Sequence, residues 1–369
     1  MRWLGIYLLC SLILVACQRS HTTEPDKVIR LCENVIETSI SHYVSDVDYL
    51  VLKPTEKYIV GNVDNVFIKD NRIFVGDYKA NRVFVYDMNG ELTGVIDRHG
   101  RGPGEYVQIR KFAVDQRYVY ILDNYVNKVL VYDNYDFEFL YEFQIPFKVW
   151  DFAVLTNGGF VFAYAPMSGN TKTEASNRYR LFFTDSQLNV QNRMFEYKKG
   201  EEDALCFRNY LSYSGSDVVY SSFKEDIIYL FNGENGKPIY STRIDYENVI
   251  PGHLRSDLKS ITDEIYTYQY TVPIVCDGYI ALNFARGTEG IAYFYNTKRD
   301  LPLTDSPFDL GNRVLGVVGS YQNTFIAYWG SSIAYTHLTA RGLKKANPDI
   351  EKMINQEYPY LIFYQMINN

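Results

Sequence analysis

Val66 to Asp87, VFIKDNRIFVGDYKANRVFVYD, and Phe112 to Asp133, FAVDQRYVYILDNYVNKVLVYD, align without a gap at an offset of 46 residues. Ile73-Phe74-Val75-Gly76-Asp77-Tyr78 faces Val119-Tyr120-Ile121-Leu122-Asp123-Asn124. Asn81-Arg82-Val83-Phe84-Val85-Tyr86-Asp87 faces Asn127-Lys128-Val129-Leu130-Val131-Tyr132-Asp133. Self-similarity at a fixed period of this size marks a repeat architecture, in which no unit buries its faces alone. Each unit consists of short β-branched and aromatic runs parted by Asp, Asn and Gly, the pattern of a four-stranded antiparallel blade. The fold class is therefore all-β, a β-propeller.

Working outward, the copies become more degenerate. Phe152 to Val161 with Arg180 to Asp185 gives a third, provided Pro166 to Arg178 is an inserted loop. Val218 to Ser222 with Asp226 to Asn232 gives a fourth, Tyr279 to Phe284 with Ile291 to Asn296 a fifth, and Val314 to Tyr328 starts a sixth. Six four-stranded blades are expected. Val47 to Leu52 precedes the first clear blade without a partner, so it is assigned to the last blade beside 360–366, closing the ring and removing free sheet edges. Two short helical insertions are expected. After Pro251, Leu254, Leu258, Ile261 and Ile265 form one apolar stripe. Asn347 is read as an N-cap before Pro348, with Ile350, Met353 and Ile354 on one face and Pro359 stopping the helix.

Near the N-terminus Arg2 precedes an apolar run from Leu4 to Val15, too short to span a bilayer comfortably, which ends in Leu14-Val15-Ala16-Cys17. This resembles the lipobox of bacterial lipoproteins. The resemblance implies a signal peptide over 1–16 and a lipidated Cys17 as the first mature residue, hence a membrane partner through the anchor. Residues 17–27 read as a flexible tether and 28–369 as a single propeller domain. Gln18, not an aspartate, follows the cysteine, which favours the outer membrane, on its periplasmic side or at the cell surface.

The net charge of −7 argues against a nucleic-acid partner. Cys10 leaves with the signal and Cys17 takes lipid. Cys32, Cys206 and Cys276 then remain, with no spacing that suggests a metal knuckle or a disulfide framework, although one pair could form in an oxidising periplasm. The 34 tyrosines suit half-buried strands and also polar ligands.

His99-Gly100-Arg101-Gly102-Pro103-Gly104-Glu105-Tyr106, followed by a strand, Tyr120-Ile121-Leu122-Asp123, Asn127-Lys128-Val129 and Tyr132-Asp133, resembles NHL repeats. With the lipobox and the lead-in from Asp48 to Gly61, the chain resembles the six-bladed β-propeller lipoproteins of Bacteroidetes, over roughly 28–366. That implies a fold, a compartment and a tendency to bind or scaffold; function does not follow from fold.

The glycine cluster lacks the Lys-Ser/Thr ending of a phosphate loop and reads as a tight blade-to-blade turn. Asp77 and Asp123 sit in repeated turns and are expected to bond turn amides or the following basic residue. In a propeller that turn and the blade-to-blade turn open on one end of the ring. The ligand-binding candidates at this channel mouth are Tyr78, Lys79, Arg101, Glu105, Arg110, Tyr125, Trp150, Asp151, Arg208, Lys224 and Arg286, with Trp329 beside them. Aromatic faces and forked donors of this kind suit a glycan, a peptide or a partner protein. No cofactor is called for. His42, His99, His253 and His337 show no ligand spacing, while scattered Asp, Asn and Glu leave calcium open, as in propeller lactonases. There is no Gly-x-Ser-x-Gly elbow or other catalytic motif. The reading is an envelope-anchored binding module; the alternative is a metal-assisted lyase or lactonase with its site at the channel mouth.

Overall fold

The computed structural model describes residues 24–31, 36–37, 39–165, 178–198, 200–202, 207–256, 266–287, 289–304 and 316–367. Three strands precede the first blade: β1 (Lys27–Arg30), β2 (Ile36–Glu37) and β3 (Val44–Val51). Blade 1 is β4 (Asn65–Lys69), β5 (Arg72–Asp77), β6 (Arg82–Asp87) and β7 (Leu92–Ile96). Blade 2 is β8 (Lys111–Val114), β9 (Tyr118–Asp123), β10 (Lys128–Asp133) and β11 (Phe139–Gln144). Blade 3 follows as β12 (Asp151–Val154), β13 (Phe160–Ala163), β14 (Tyr179–Thr184) and β15 (Val190–Glu196). Blade 4 is β16 (Leu211–Ser214), β17 (Asp217–Ser222), β18 (Glu225–Phe231) and β19 (Pro238–Asp245). In blade 5 the inner strand is split into β20 (Thr267–Gln269) and β21 (Ile274–Cys276), both paired with β22 (Tyr279–Arg286), before β23 (Glu289–Asn296) and β24 (Leu301–Thr304). Blade 6 holds β25 (Val317–Tyr321), β26 (Thr324–Trp329) and β27 (Tyr360–Met366), completed by β3.

The expected closure is present: β3 pairs antiparallel with β27, Val51 opposite Tyr360 and Val47 opposite Tyr364. Six hydrophobic clusters lie among the described residues, one in each gap between neighbouring blades. Phe74 and Val83 of blade 1 meet Phe112 and Ile121 of blade 2. Ile73 and Phe84 of blade 1 meet Ile326 and Leu361 of blade 6, which is what makes the ring continuous. Both faces of each middle strand are covered, which is why Ile73, Phe74 and Val75 are all buried in succession rather than alternating.

The N-terminal segment does more than close blade 6. β1 pairs in parallel with β19, Lys27 opposite Thr242, and β2 pairs in parallel with β24, Ile36 opposite Leu303. It thus runs along the outer edges of blades 4 and 5 before entering blade 6, and Ile29 and Leu31 are buried between blades 4 and 5. Asp26 and Lys27, assigned to the tether on composition, are held to the body: Asp26 Oδ2 accepts from the Ser241 amide at 2.7 Å.

Helix α1 (Ser332–Ala340) and helix α2 (Pro348–Asn355) lie between β26 and β27. In α2 the Asn347 side chain accepts from the Ile350 amide at 2.9 Å, as the sequence predicts. α1 was not expected. It buries Tyr335 and Leu338 against the cluster between blades 5 and 6. The helix expected after Pro251 begins as a short 3-10 turn, Gly252–Leu254, and its remainder, 257–265, lies outside the described residues. So does nearly all of the loop predicted at 166–178. Cys276 is a buried free thiol, whereas Cys32 and Cys206 fall outside the described residues.

Candidate functional site

The turns that define one mouth of the channel are built by the repeat residues. Asp77 Oδ1 accepts from the Ala80 amide at 2.8 Å, and its Oδ2 accepts from the Gly61 and Asn62 amides, both at 3.0 Å. Asp123 does the same one blade later, accepting from Tyr125 at 3.0 Å and from Val107 at 2.6 Å. Each aspartate therefore ties a turn within its blade to the chain arriving from the previous one. The basic residues that follow do not pair with these aspartates: Arg82 reaches Asp97 at 3.0 Å and Lys128 reaches Glu142 at 2.8 Å. Asn81 and Asn127 sit at φ of 62° and 59°, in the left-handed region that asparagine tolerates. From there Asn127 Nδ2 donates to the Ile145 and Phe147 carbonyls, each at 2.7 Å.

The predicted rim residues separate into three groups. Lys79, Arg101 and Tyr125 are exposed, and Lys224 is partly exposed in the turn between β17 and β18. These four are not drawn into the central contacts. Glu105 is bonded to its own turn, its Oε2 accepting from the Gly102 amide at 2.8 Å. Gly104, at φ 72°, supplies the turn conformation expected of the glycine cluster. Arg286 Nε donates to Thr267 Oγ1 at 2.8 Å, bracing the inner strand of blade 5. Tyr78 packs edge-on to Phe112, and burial pushes its hydroxyl far above the ordinary tyrosine range. Trp329 ends β26 and packs partly buried against the cluster between blades 5 and 6.

Arg110, Trp150, Asp151 and Arg208 converge. The Arg110 guanidinium lies 4.7 Å from the Trp150 ring and donates through Nη2 to the Arg208 carbonyl at 2.8 Å. Arg208, leading into blade 4, forms an ion pair with Asp64, which leads into blade 1 on the opposite side of the ring. The other Asp64 oxygen accepts from the Tyr78 amide at 2.8 Å. Asp151 is buried, accepting from the Tyr210 and Leu211 amides at 2.8 and 3.0 Å. Its Oδ1 stands 3.7 Å from the Lys111 ammonium, which also donates to the Leu211 carbonyl at 3.4 Å. Lys111 is almost fully enclosed, and desolvation pulls its ammonium below the ordinary lysine value despite the neighbouring carboxylate. Further along the inner strands Phe67 of blade 1 touches Tyr213 of blade 4, ring centroids 5.8 Å apart. The mouth is thus bridged by side chains rather than ringed by free ones.

A channel of about 930 Å³ runs through the centre, lined among others by Asn65, Lys111, Asn209, Ser212, Thr271 and Ser320. Asn65 Oδ1 and Asn209 Oδ1 are buried acceptors without a hydrogen-bond partner, and nearby Arg110 Nε and Trp150 Nε1 are donors without one. Buried polar atoms left in this state are costly unless water or a ligand answers them. Among the described residues no three His, Cys, Asp or Glu side chains gather as a metal site. The sequence reading missed Asp64, Asn65, Lys111 and Asn209. The repeat itself carried part of the signal, because its offset pairs Asp64 with Arg110 and Asn65 with Lys111 at the start of successive inner strands.

A ring of six blades, closed by β3, defines the class. The family described as 6-bladed beta-propeller matches residues 18–275, and the chain belongs to it. No curated protein matches. Among solved structures, a Bacteroides fragilis protein assigned as exported superposes with a TM-score of 0.72 at 16% identity, covering 92% of this chain and 100% of that one. A Bacteroides vulgatus member of the duf4221 family gives 0.52 at 10% identity, covering 88% and 97%. Virginiamycin B lyase of Staphylococcus aureus gives 0.39 at 11% identity, covering 69% and 71%, a likeness too loose to carry an argument about chemistry. At these identities the likeness is one of fold alone.

Proposed function

We propose that this chain is an envelope-anchored binding module, lipidated at Cys17 and carrying an NHL-like propeller that receives a polar ligand at the bridged channel mouth. The ligand classes that fit are a glycan, a peptide or an extended segment of a partner protein. The observation that supports this most is the set of unanswered polar atoms at the mouth, two acceptors on Asn65 and Asn209 and two donors on Arg110 and Trp150. Hydroxyl groups and amides both give and accept, so they suit such a set better than a simple ion does. Trp150, held under the Arg110 guanidinium, adds an indole N–H to this set rather than an open ring face.

Arg208 is the gate in this reading. It is about half exposed and spans the mouth to Asp64, so a ligand competes with that ion pair on entering. Residues 18–369 with Trp150→Ala and Asn209→Ala together are expected to lose at least tenfold in affinity for the bound glycan or peptide, with the melting temperature checked in parallel. Loss of binding on replacing Lys79, Arg101 and Tyr125 instead, with the Trp150 and Asn209 variant unaffected, would move the site to the outer rim.

A further inference from the structure

We infer that the propeller rests on the phospholipid surface through the lower outer edge of blade 4, around Ile239 and Tyr240, with the bridged channel mouth turned away from the bilayer. The inference rests on the lipidation of Cys17 proposed above.

The direction of β1 carries the argument. β19 starts at Pro238 beside the turn from β18 and ends at Asp245 toward the channel mouth. β1 runs parallel to it, Lys27 beside Thr242 and Arg30 beside Asp245, so the chain travels toward the mouth as it leaves Asp26. Read backwards, the strand points from Asp26, beside Ser241, toward the opposite end of the ring, where Ile239 and Tyr240 lie. Nine residue steps separate Asp26 from Cys17, a reach of about 30 Å when fully extended. An acyl anchor on Cys17 therefore keeps the start of β1, on the outer edge of blade 4, within that distance of the lipid.

The surface there suits that neighbour. Ile239 and Tyr240 are 48% and 39% exposed on adjacent positions of β19, just short of the stretch that β1 covers. An exposed aliphatic next to a tyrosine is the pairing that settles at the boundary between acyl chains and headgroups. Lys237 flanks them on one side, and Lys298 and Arg299 project from the corresponding turn of neighbouring blade 5. Asp217, which acts on Tyr240, together with Asp26, Glu234 and Asp300 are the nearby acids, so the apolar pair and the tether, rather than net charge, set the contact. The same orientation leaves Lys79, Arg101 and Tyr125 on the side away from the membrane, open to a ligand arriving from solution.

The test is hydrogen exchange on the acylated chain in vesicles of phosphatidylethanolamine and phosphatidylglycerol, against unlipidated residues 18–369 in buffer. Exchange across 237–241 is expected to slow at least threefold on the vesicles, while 78–82 and 101–106 are unchanged. The Ile239→Ser, Tyr240→Ser variant should abolish that slowing and still sediment with the vesicles. Slowing at 78–82 and 101–106 instead, or at neither face, would overturn the orientation. Mass spectrometry of the acyl group on Cys17 reads the anchor separately. If the group is missing, residues 18–369 held on nickel-chelating lipid by an N-terminal polyhistidine tag give the same exchange comparison, so failure of the anchor and failure of the orientation are told apart.

Discussion

Blades 1 and 2 repeat one another almost position for position, while blades 4 to 6 share little with them beyond strand order. In the first pair each blade holds its own turns. Asp77 and Asp123 bond the chain entering blades 1 and 2, and Asn81 and Asn127 bond the chain leaving them. In the second region the work passes to segments distant in sequence. β1 and β2 cover the edges of blades 4 and 5, β3 supplies the outer strand of blade 6, and α1 and α2 fill the gap between blades 5 and 6. A propeller can thus relax its repeat wherever another part of the chain covers the edges and fills the gaps that the repeat would otherwise manage.

The largest expected effect separates these two kinds of support. A chain starting at residue 52 lacks β3 and leaves β27 as an open edge, so it should fail to give soluble, cooperatively melting protein. One starting at residue 39 keeps β3 but loses β1 and β2, and should fold with stability reduced by about 3–6 kcal/mol for the burial of Ile29 and Leu31. Equal behaviour of the two truncations in a denaturant melt would contradict the distinction.

Alkali should act on both regions. Burial raises the hydroxyls of Tyr106 and Tyr132 beside blades 1 and 2, and of Tyr49 and Tyr360 in blade 6, above the ordinary value of 10.0. Above that value the unfolded chain ionises and the native one does not, so stability is complete below it and declines as pH rises further. Tyrosinate absorbance should therefore appear together with unfolding. Ionisation of these four in a native, unshifted melt would show that they are not enclosed as described.

Asp123→Ala strands the amides of Tyr125 and Val107 and is expected to cost about 2–4 kcal/mol by chemical denaturation. Asp77→Ala should match it, since the two occupy the same place in successive repeats. A large inequality would mean that blades 1 and 2 are less alike than their backbones. Asn347→Ala, removing the cap of α2, should cost only about 1 kcal/mol, because that helix is held mainly by Ile354 and its neighbours in the cluster between blades 5 and 6.

The legible part of the molecule was the part whose contacts recur in sequence. The gapless match from Val66 to Asp133 fixed the blade, and the unpartnered Val47 to Leu52 fixed the closure. α1 was hidden because Ile333, Tyr335, Thr336 and Thr339 favour strands, and only Ser331, whose side chain accepts from the Ile333 amide, signals a start. β1 and β2 were hidden because short edge strands take their pairing from a neighbour rather than from periodicity. At the mouth, Arg110, Trp150, Asp151 and Arg208 were legible as rim residues because they lie in blade-to-blade turns. The crossing of Arg208 to Asp64 was not, since a contact across a ring leaves no spacing to read. Lys111 and Asp151 likewise meet only because neighbouring inner strands start at the same height.

Recognition of a polar ligand at the bridged mouth can be read on a glycan and peptide array probed with residues 18–369, with and without a chelator. Binding to one ligand class is expected that survives the chelator and weakens at least tenfold in the Trp150→Ala, Asn209→Ala variant. Binding that disappears with the chelator, or that ignores this variant, would contradict it.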